Sequence, residues 1–285
     1  MAEAYLSIGG RGVHLVGDVS VARAMRLPGM REFMCSPRQC EMEVRLDVPL
    51  SLPPCQWAYE FDIADGGIHC RFGTDAGGVY YQLFEGYGLL RYREGGGVEI
   101  ETLSDPSALR FALWSAYGLM GVRCDAVPVH SSVVVCDGRA VMCLGESGTG
   151  KSTHTRLWLE NIPGSYRLND DSPIISVTDG QVRVYGSPWS GKSDYYLQES
   201  HLIAALLRLQ QRPENSICRL NVLQSFSALQ PSCPPAMARE ERCLDALVAF
   251  ISKVLRSVPV YRMGCLPNAD AAWLSHDTIM GRSQQ

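Results

Sequence analysis

The chain has 285 residues, 46% hydrophobic and 20% charged, with a formal net charge of -4 and a pI near 5.9. That length and apolar fraction suit one large or two modest folded domains, and the slight negative charge excludes a global field drawing the chain to nucleic acid or an anionic membrane. No apolar run approaches the roughly 20 residues that span a bilayer, and Met1-Ala2-Glu3-Ala4 carries an acid where a signal peptide is positive. The expectation is a cytoplasmic protein with no nucleic-acid or membrane partner. The 11 cysteines are scattered singly, without a Cys-x-x-Cys pair, and read as reduced, small apolar residues.

Residues 1–104 predict a β-rich N-terminal domain, with short alternating runs at Glu41 to Val48, Trp57 to Ile63 and Val79 to Phe84. Leu89 to Arg93 and Val98 to Leu103 flank Glu94-Gly95-Gly96-Gly97 and predict a hairpin. A second domain is expected over 105–280. Asp105-Pro106 opens a helix as N-cap and first-turn proline, and Leu109, Ala112, Leu113, Ala116, Tyr117 and Met120 give it an apolar stripe. A β-leaning run from Val127 to Val135 follows, then a turn at Asp137-Gly138 and a buried strand over Arg139 to Leu144.

That strand leads into Gly145-Glu146-Ser147-Gly148-Thr149-Gly150-Lys151-Ser152, a complete phosphate-binding loop pattern, and a helix is expected from Thr153 to Glu160. The chemistry follows from the residue types. Glycines leave successive backbone N–H groups open to phosphate oxygens, and the following helix adds the positive end of its dipole. Lys151 is expected on the outer phosphates and Ser152 on Mg²⁺. Only three of the 26 basic residues are lysine, so a lysine in this register reads as a chemical requirement.

Asp170-Asp171 lies 19 residues after Lys151, room for one helix and a return strand that would place both acids beside the loop. One carboxylate would serve the metal and the other would accept a proton from an attacking hydroxyl. His130 could return alongside the loop through the Asp137-Gly138 turn. A second match to the pattern, Gly186-Ser187-Pro188-Trp189-Ser190-Gly191-Lys192-Ser193, follows a strand-like run from Val182 to Tyr185. Pro188 lacks an N–H and Trp189 would crowd a phosphate, so this segment reads as a second loop lining the same site, with Lys192 facing the transferred phosphate or acceptor. Later, Leu244 to Leu255 predicts an amphipathic helix, Val258 to Met263 a strand, and Ala269 to Leu274 a short closing helix. Pro231 to Pro235 reads as a loop and Gly281 to Gln285 as a frayed tail.

His130, the loop at 145 to 152 and Asp170-Asp171, in that order, resemble the catalytic domain of bacterial HPr kinase/phosphorylase. The related ATP-dependent phosphoenolpyruvate carboxykinases are similar in the Ser-Gly-Thr-Gly-Lys core and an upstream metal-binding histidine. The resemblance covers about residues 125 to 195 well and the remainder to 275 loosely, and Val258-Pro259-Val260-Tyr261-Arg262 is similar to a segment of HPr-kinase-like peptide kinases. It implies an α/β (α+β) fold: a C-terminal catalytic domain with a mixed sheet behind the β-rich N-terminal one. It also implies ATP and Mg²⁺ as cofactors, Asp170 as base, Asp171 as the metal-side acid with Ser152, a hydroxyl acceptor on a protein, peptide or small molecule, and a homo-oligomer. The glycine- and isoleucine-rich signature that follows the acid pair in HPr kinases is absent here, and the N-terminal half differs from theirs, which leaves the acceptor open. The alternatives are a carboxykinase-like reaction and a nucleotide-binding regulatory protein without turnover.

Overall fold

The computed structural model describes residues 1–191 and 195–281, leaving the side chain of Arg242 aside. It shows a mixed α/β chain with two mixed sheets and few helices. By contact density it divides into two compact units, Met1–Val127 with Pro234–Leu247, and Pro128–Cys233 with Val248–Gln285. The expected division at residues 104 and 105 places the helix after Asp105 in the second domain, whereas this partition counts it with the first unit.

The first unit carries β1 (Ala2–Ile8), β2 (Arg11–Gly17), α1 (Val19–Ala24), β3 (Met42–Arg45), β4 (Cys55–Ile63), β5 (Ile68–Asp75), β6 (Tyr80–Phe84), β7 (Gly88–Tyr92), β8 (Val98–Ile100) and α2 (Pro106–Gly121). Its eight strands run in the order β1-β2-β3-β8-β7-β6-β5-β4. β3 lies parallel to β2 and to β8, and the other pairings are antiparallel. The β7–β8 hairpin expected around Glu94 to Gly97 is present. Helix α2 lays Ala108, Leu109, Ala112, Leu113, Ala116 and Tyr117, all buried, toward β3, β7 and β8. Its N-cap is Asp105, whose carboxylate accepts from the N–H groups of Ser107 at 2.8 Å and Ala108 at 2.9 Å.

β9 (Ala126–Pro128) ends in the second unit, where β10 (Ser131–Cys136), β11 (Arg139–Leu144), α3 (Lys151–Asn161), β12 (Tyr166–Asp171), β13 (Ile174–Thr178), β14 (Gln181–Tyr185), β15 (Ser200–Gln211), β16 (Ser216–Arg219) and α4 (Val222–Leu229) follow. α5 (Glu241–Leu255), counted with the first unit up to Leu247, then β17 (Val260–Cys265) and α6 (Ala269–Ile279) complete the chain. The sheet order is β12-β10-β11-β15-β14-β13-β9. β15 is long enough to hold β14 at its start and β17 at its end, and β17 also pairs with β16. β11, β15 and β17 are mutually parallel, so their C-terminal ends meet at one edge of the sheet.

The run expected as one strand from Val127 to Val135 is two, β9 and β10. The break comes where the N–H of Val129 turns to Pro173 O at 2.9 Å and that of His130 to Ser232 O at 2.6 Å. β10 and β11 form a hairpin through Asp137 and Gly138, whose φ values of 48° and 72° suit a two-residue turn twisted like its strands.

The core of this unit joins α3 and α6 to one face of the sheet: Val134, Cys136, Val141, Cys143, Leu207, Leu209 and Met263 meet Leu157, Trp158 and Ile162 of α3 and Ala271 and Ala272 of α6. Burial pushes the Cys143 thiol up to about 12, in line with cysteine used as a small apolar residue. Ser275 of α6 receives the Trp158 indole N–H at 2.8 Å and lies 3.0 Å from His154 Nε2. No described helix is long and apolar enough to cross a membrane.

Two outcomes follow. Asp105→Ala lowers the unfolding free energy by about 1 kcal/mol while Asp105→Asn changes it by only a few tenths, because asparagine caps as well; chemical denaturation of the three proteins checks this. Burial lowers the His154 pKa to about 4, from an unfolded value near 6.5. The unfolded chain then binds the extra proton first, so stability is full above pH 6.5 and declines as pH falls toward 4. Between pH 7.5 and 5 the wild type therefore loses about 2 kcal/mol more than His154→Gln. Equal pH dependence of the two proteins would show that His154 is not held neutral.

Candidate functional site

The register of three strands assembles the site. Ser131 at the start of β10 stands opposite Leu144 at the end of β11 and opposite Asp171 at the end of β12. His130, the loop that begins at Gly145 and the acid pair therefore emerge together at the edge where β11 and β15 end. Adjacent residues on a strand point to opposite sides, so Asp170 and Asp171 take different neighbours.

The loop from Gly145 to Gly150 is tied to itself. Thr149 Oγ1 donates to Glu146 O at 2.7 Å, the Thr149 N–H reaches the same oxygen, and Gln211 Nε2 holds Gly148 O at 3.1 Å. Gly145 has φ 154°, and a Cβ there would collide with Thr149 Oγ1, so glycine is required. Lys151, the first residue of α3, folds back over the loop and donates from Nζ to Gly145 O at 2.9 Å and Glu146 O at 3.1 Å. It is 9% exposed. Desolvation lowers its pKa from the ordinary lysine value, opposed by the nearby charges of Asp171, Glu146 and Asp170.

Ser152 Oγ donates to Asp170 Oδ1 at 2.9 Å, and Asp170 also faces Arg167 Nη1 at 3.5 Å. The Asp170 side chain is 10% exposed, whereas Asp171 is 38% exposed and pairs with His130, Nδ1 to Oδ1 at 3.1 Å. His130, Lys151, Ser152, Asp170 and Asp171 line a cavity of about 510 Å³ together with Ser147, Gly148, Gly150 and Thr153. A second cavity of about 420 Å³ lies on the α3 side of the loop, walled by Leu157, Leu266 and Pro267 with Gln211 and Arg212 at its polar edge.

The second glycine-rich segment packs against the acid pair. Ser187 Oγ donates to Ser172 O at 2.6 Å, Trp189 O accepts from the Ser172 N–H at 3.0 Å, and Ser190 Oγ accepts from the Asp170 N–H at 3.4 Å. Gly191 sits against the Asp170 carbonyl and the Asp171 side chain and lines the larger cavity. Lys192 lies outside the described residues.

Sequence reasoning missed Arg208. It stands on β15 beside Leu144, 18% exposed, and its Nη2 grips Glu146 Oε1 at 2.7 Å, placing a guanidinium at the mouth of the loop. Nothing local signals it, because the stretch from Leu202 to Gln211 carries no turn signal or alternation that marks a strand. Chemically, the assembled groups offer a desolvated ammonium, an oxygen pair from Ser152 and Asp170 suited to a hard cation, and a His–Asp pair near it. Among the described residues no cluster of three or more His, Cys, Asp or Glu is placed to hold a metal ion.

No family model and no curated protein matches this chain. Among solved structures, the Hpr(Ser) kinase/phosphatase from Coxiella burnetii superposes with a TM-score of 0.31 at 13% identity, over 54% of this chain and 93% of that one. At that score the likeness carries no argument, and the site rests on its own geometry.

Proposed function

We propose that the second unit is an ATP- and Mg²⁺-dependent phosphotransferase that delivers the terminal phosphoryl group to a hydroxyl acceptor. The observation that carries this reading is the convergence on one cavity of two pairs, Ser152 with Asp170 and His130 with Asp171, beside the Lys151 loop. The loop N–H groups and Lys151 would take the phosphates, the ammonium exchanging the carbonyls of Gly145 and Glu146 for phosphate oxygens. The nucleoside would extend into the cavity walled by Leu157, Leu266 and Pro267. Ser152 and Asp170 would hold Mg²⁺, which when bound offsets the charge of the outer phosphates.

The geometry favours a division of labour opposite to the one implied by the family resemblance. Asp170, bonded to the loop serine and largely buried, takes the metal side. Asp171, the more exposed acid, would take the proton from the acceptor hydroxyl, and His130 would fix its carboxylate and can share that proton across the Nδ1–Oδ1 contact. A protein that only binds nucleotide has no use for that pair.

ATP hydrolysis by water, measured against Mg²⁺ concentration, separates the roles without knowing the acceptor. Lys151→Ala weakens ATP binding by about 100-fold or more, as expected for loss of a charge-assisted contact to two phosphates. Asp171→Asn binds ATP normally and turns over about 10²–10⁴ times more slowly. Asp170→Asn shifts the Mg²⁺ requirement upward. If Asp171→Asn hydrolyses ATP at the wild-type rate, the proton role does not belong to it.

A further inference from the structure

On the opposite face of the same sheet lies a cavity of about 390 Å³ lined by Arg212 and Arg262 with Gln210, Glu214, Ser216 and Cys218. Side chains alternate along strands, and Leu207, Leu209 and Met263 belong to the core under α3 and α6. Arg208 and Gln210 of β15, Arg262 of β17, and Ser216 and Cys218 of β16 therefore share the other face. The register sets Arg208 beside Arg262 and Cys218 beside Arg262. Like charges directly across a ladder repel. Glu146 neutralises Arg208, but neither Arg262 nor Arg212 meets a carboxylate among the described residues.

Gly264 completes the arrangement. The stem of Arg212 lies over it, with Cγ 2.8 Å and Ser216 Oγ 3.2 Å from where a Cβ would stand. Any side chain at 264 would displace Arg212 from the cavity. Arg212 is exposed and Arg262 half-buried, and both line the same cavity, so an anion from outside the chain can reach the two together.

We infer that this cavity binds a small ligand bearing a carboxylate or phosphate group, clamped by Arg212 and Arg262. Planar guanidinium forks match either oxyanion in paired N–H donation. Glu214 on the same wall leaves one positive charge in excess, which suits a singly charged oxyanion better than a polyanion. The site is distinct from the phosphoryl-transfer cavity. From β12, which carries Asp170 and Asp171, to β17 the order β12-β10-β11-β15-β17 spans four strand spacings, about 19 Å at roughly 4.8 Å each. A small molecule does not bridge that distance, so the ligand is not the reacting end of the acceptor. Arg212 also borders the cavity beside the loop, which makes Arg262 the decisive residue.

Inorganic phosphate and lactate serve as probes, with dissociation constants taken from the ligand-dependent rise in unfolding temperature. The wild type binds at least one of them, and Arg262→Gln and Arg212→Gln each weaken it roughly tenfold or more. Lys151→Ala leaves this binding unchanged, and that arm separates the inference from the nucleotide reading, which fails on its own test. Phosphate alone or lactate alone binding in the Arg262-dependent manner identifies the group. Three results overturn the inference: neither probe binds the wild type, binding is the same in Arg262→Gln, or phosphate binding is lost only in Lys151→Ala, which assigns it to the loop. Cooperative unfolding of each variant near the wild-type temperature shows that a lost affinity is not a lost fold.

Discussion

The β10–β11 hairpin is the constraint on which the candidate site depends. Its tight turn at Asp137 and Gly138 fixes the register that sets Ser131 opposite Leu144. One residue of slip would send Val134 and Val141 from the core face to the other side of the sheet and move His130 away from Gly145. With that register fixed, pairing of β12 on the far edge of β10 delivers Asp170 and Asp171 to the same end. β15 on the other side of β11 delivers Arg208. No one segment encodes the site; it is the shared edge of four paired strands.

Much of this was legible because its signals are local. The glycine pattern around Lys151, the Asp105-Pro106 start of α2 and the hairpin around Glu94 to Gly97 are each written in a few adjacent residues, and each expected element is present. The break at His130 was not legible, since it depends on partners at Pro173 and Ser232, far away in sequence. β15 was missed for a related reason. Its Ala204-Ala205-Leu206-Leu207-Arg208-Leu209 stretch has the composition of a helix, and burial between β11 and the strands β14 and β17 overrides that propensity. With β15 unseen, Arg208 and the arginine face beside it could not be placed. The roles of the two adjacent acids were undecidable for the same physical reason: neighbours on a strand diverge, and only the register says which one meets Ser152 and which meets His130.

The loop is braced by its own bonds. Thr149 and Gln211 hold its turns, and Lys151 rests on the carbonyls it would leave. On the proposed reading, little chain entropy would remain to be lost on binding, and the buried ammonium would exchange two carbonyls for a phosphate. The same desolvation that lowers the Lys151 pKa makes an anion there more strongly attracted than in water. Arg208 and Glu146 pair at the mouth, and on the proposed reading a phosphate would compete for that guanidinium.

The central claim is that the backbone from Gly145 to Ser152 cradles phosphate. It is tested most directly by titrating ATP with Mg²⁺ into isotopically labelled protein and following the amide resonances. The account predicts that the largest shifts fall on residues 147 to 152, with those of Gly148 and Gly150 among them, and that they vanish in Lys151→Ala. Amides of that loop that stay unmoved at saturating ATP would contradict it.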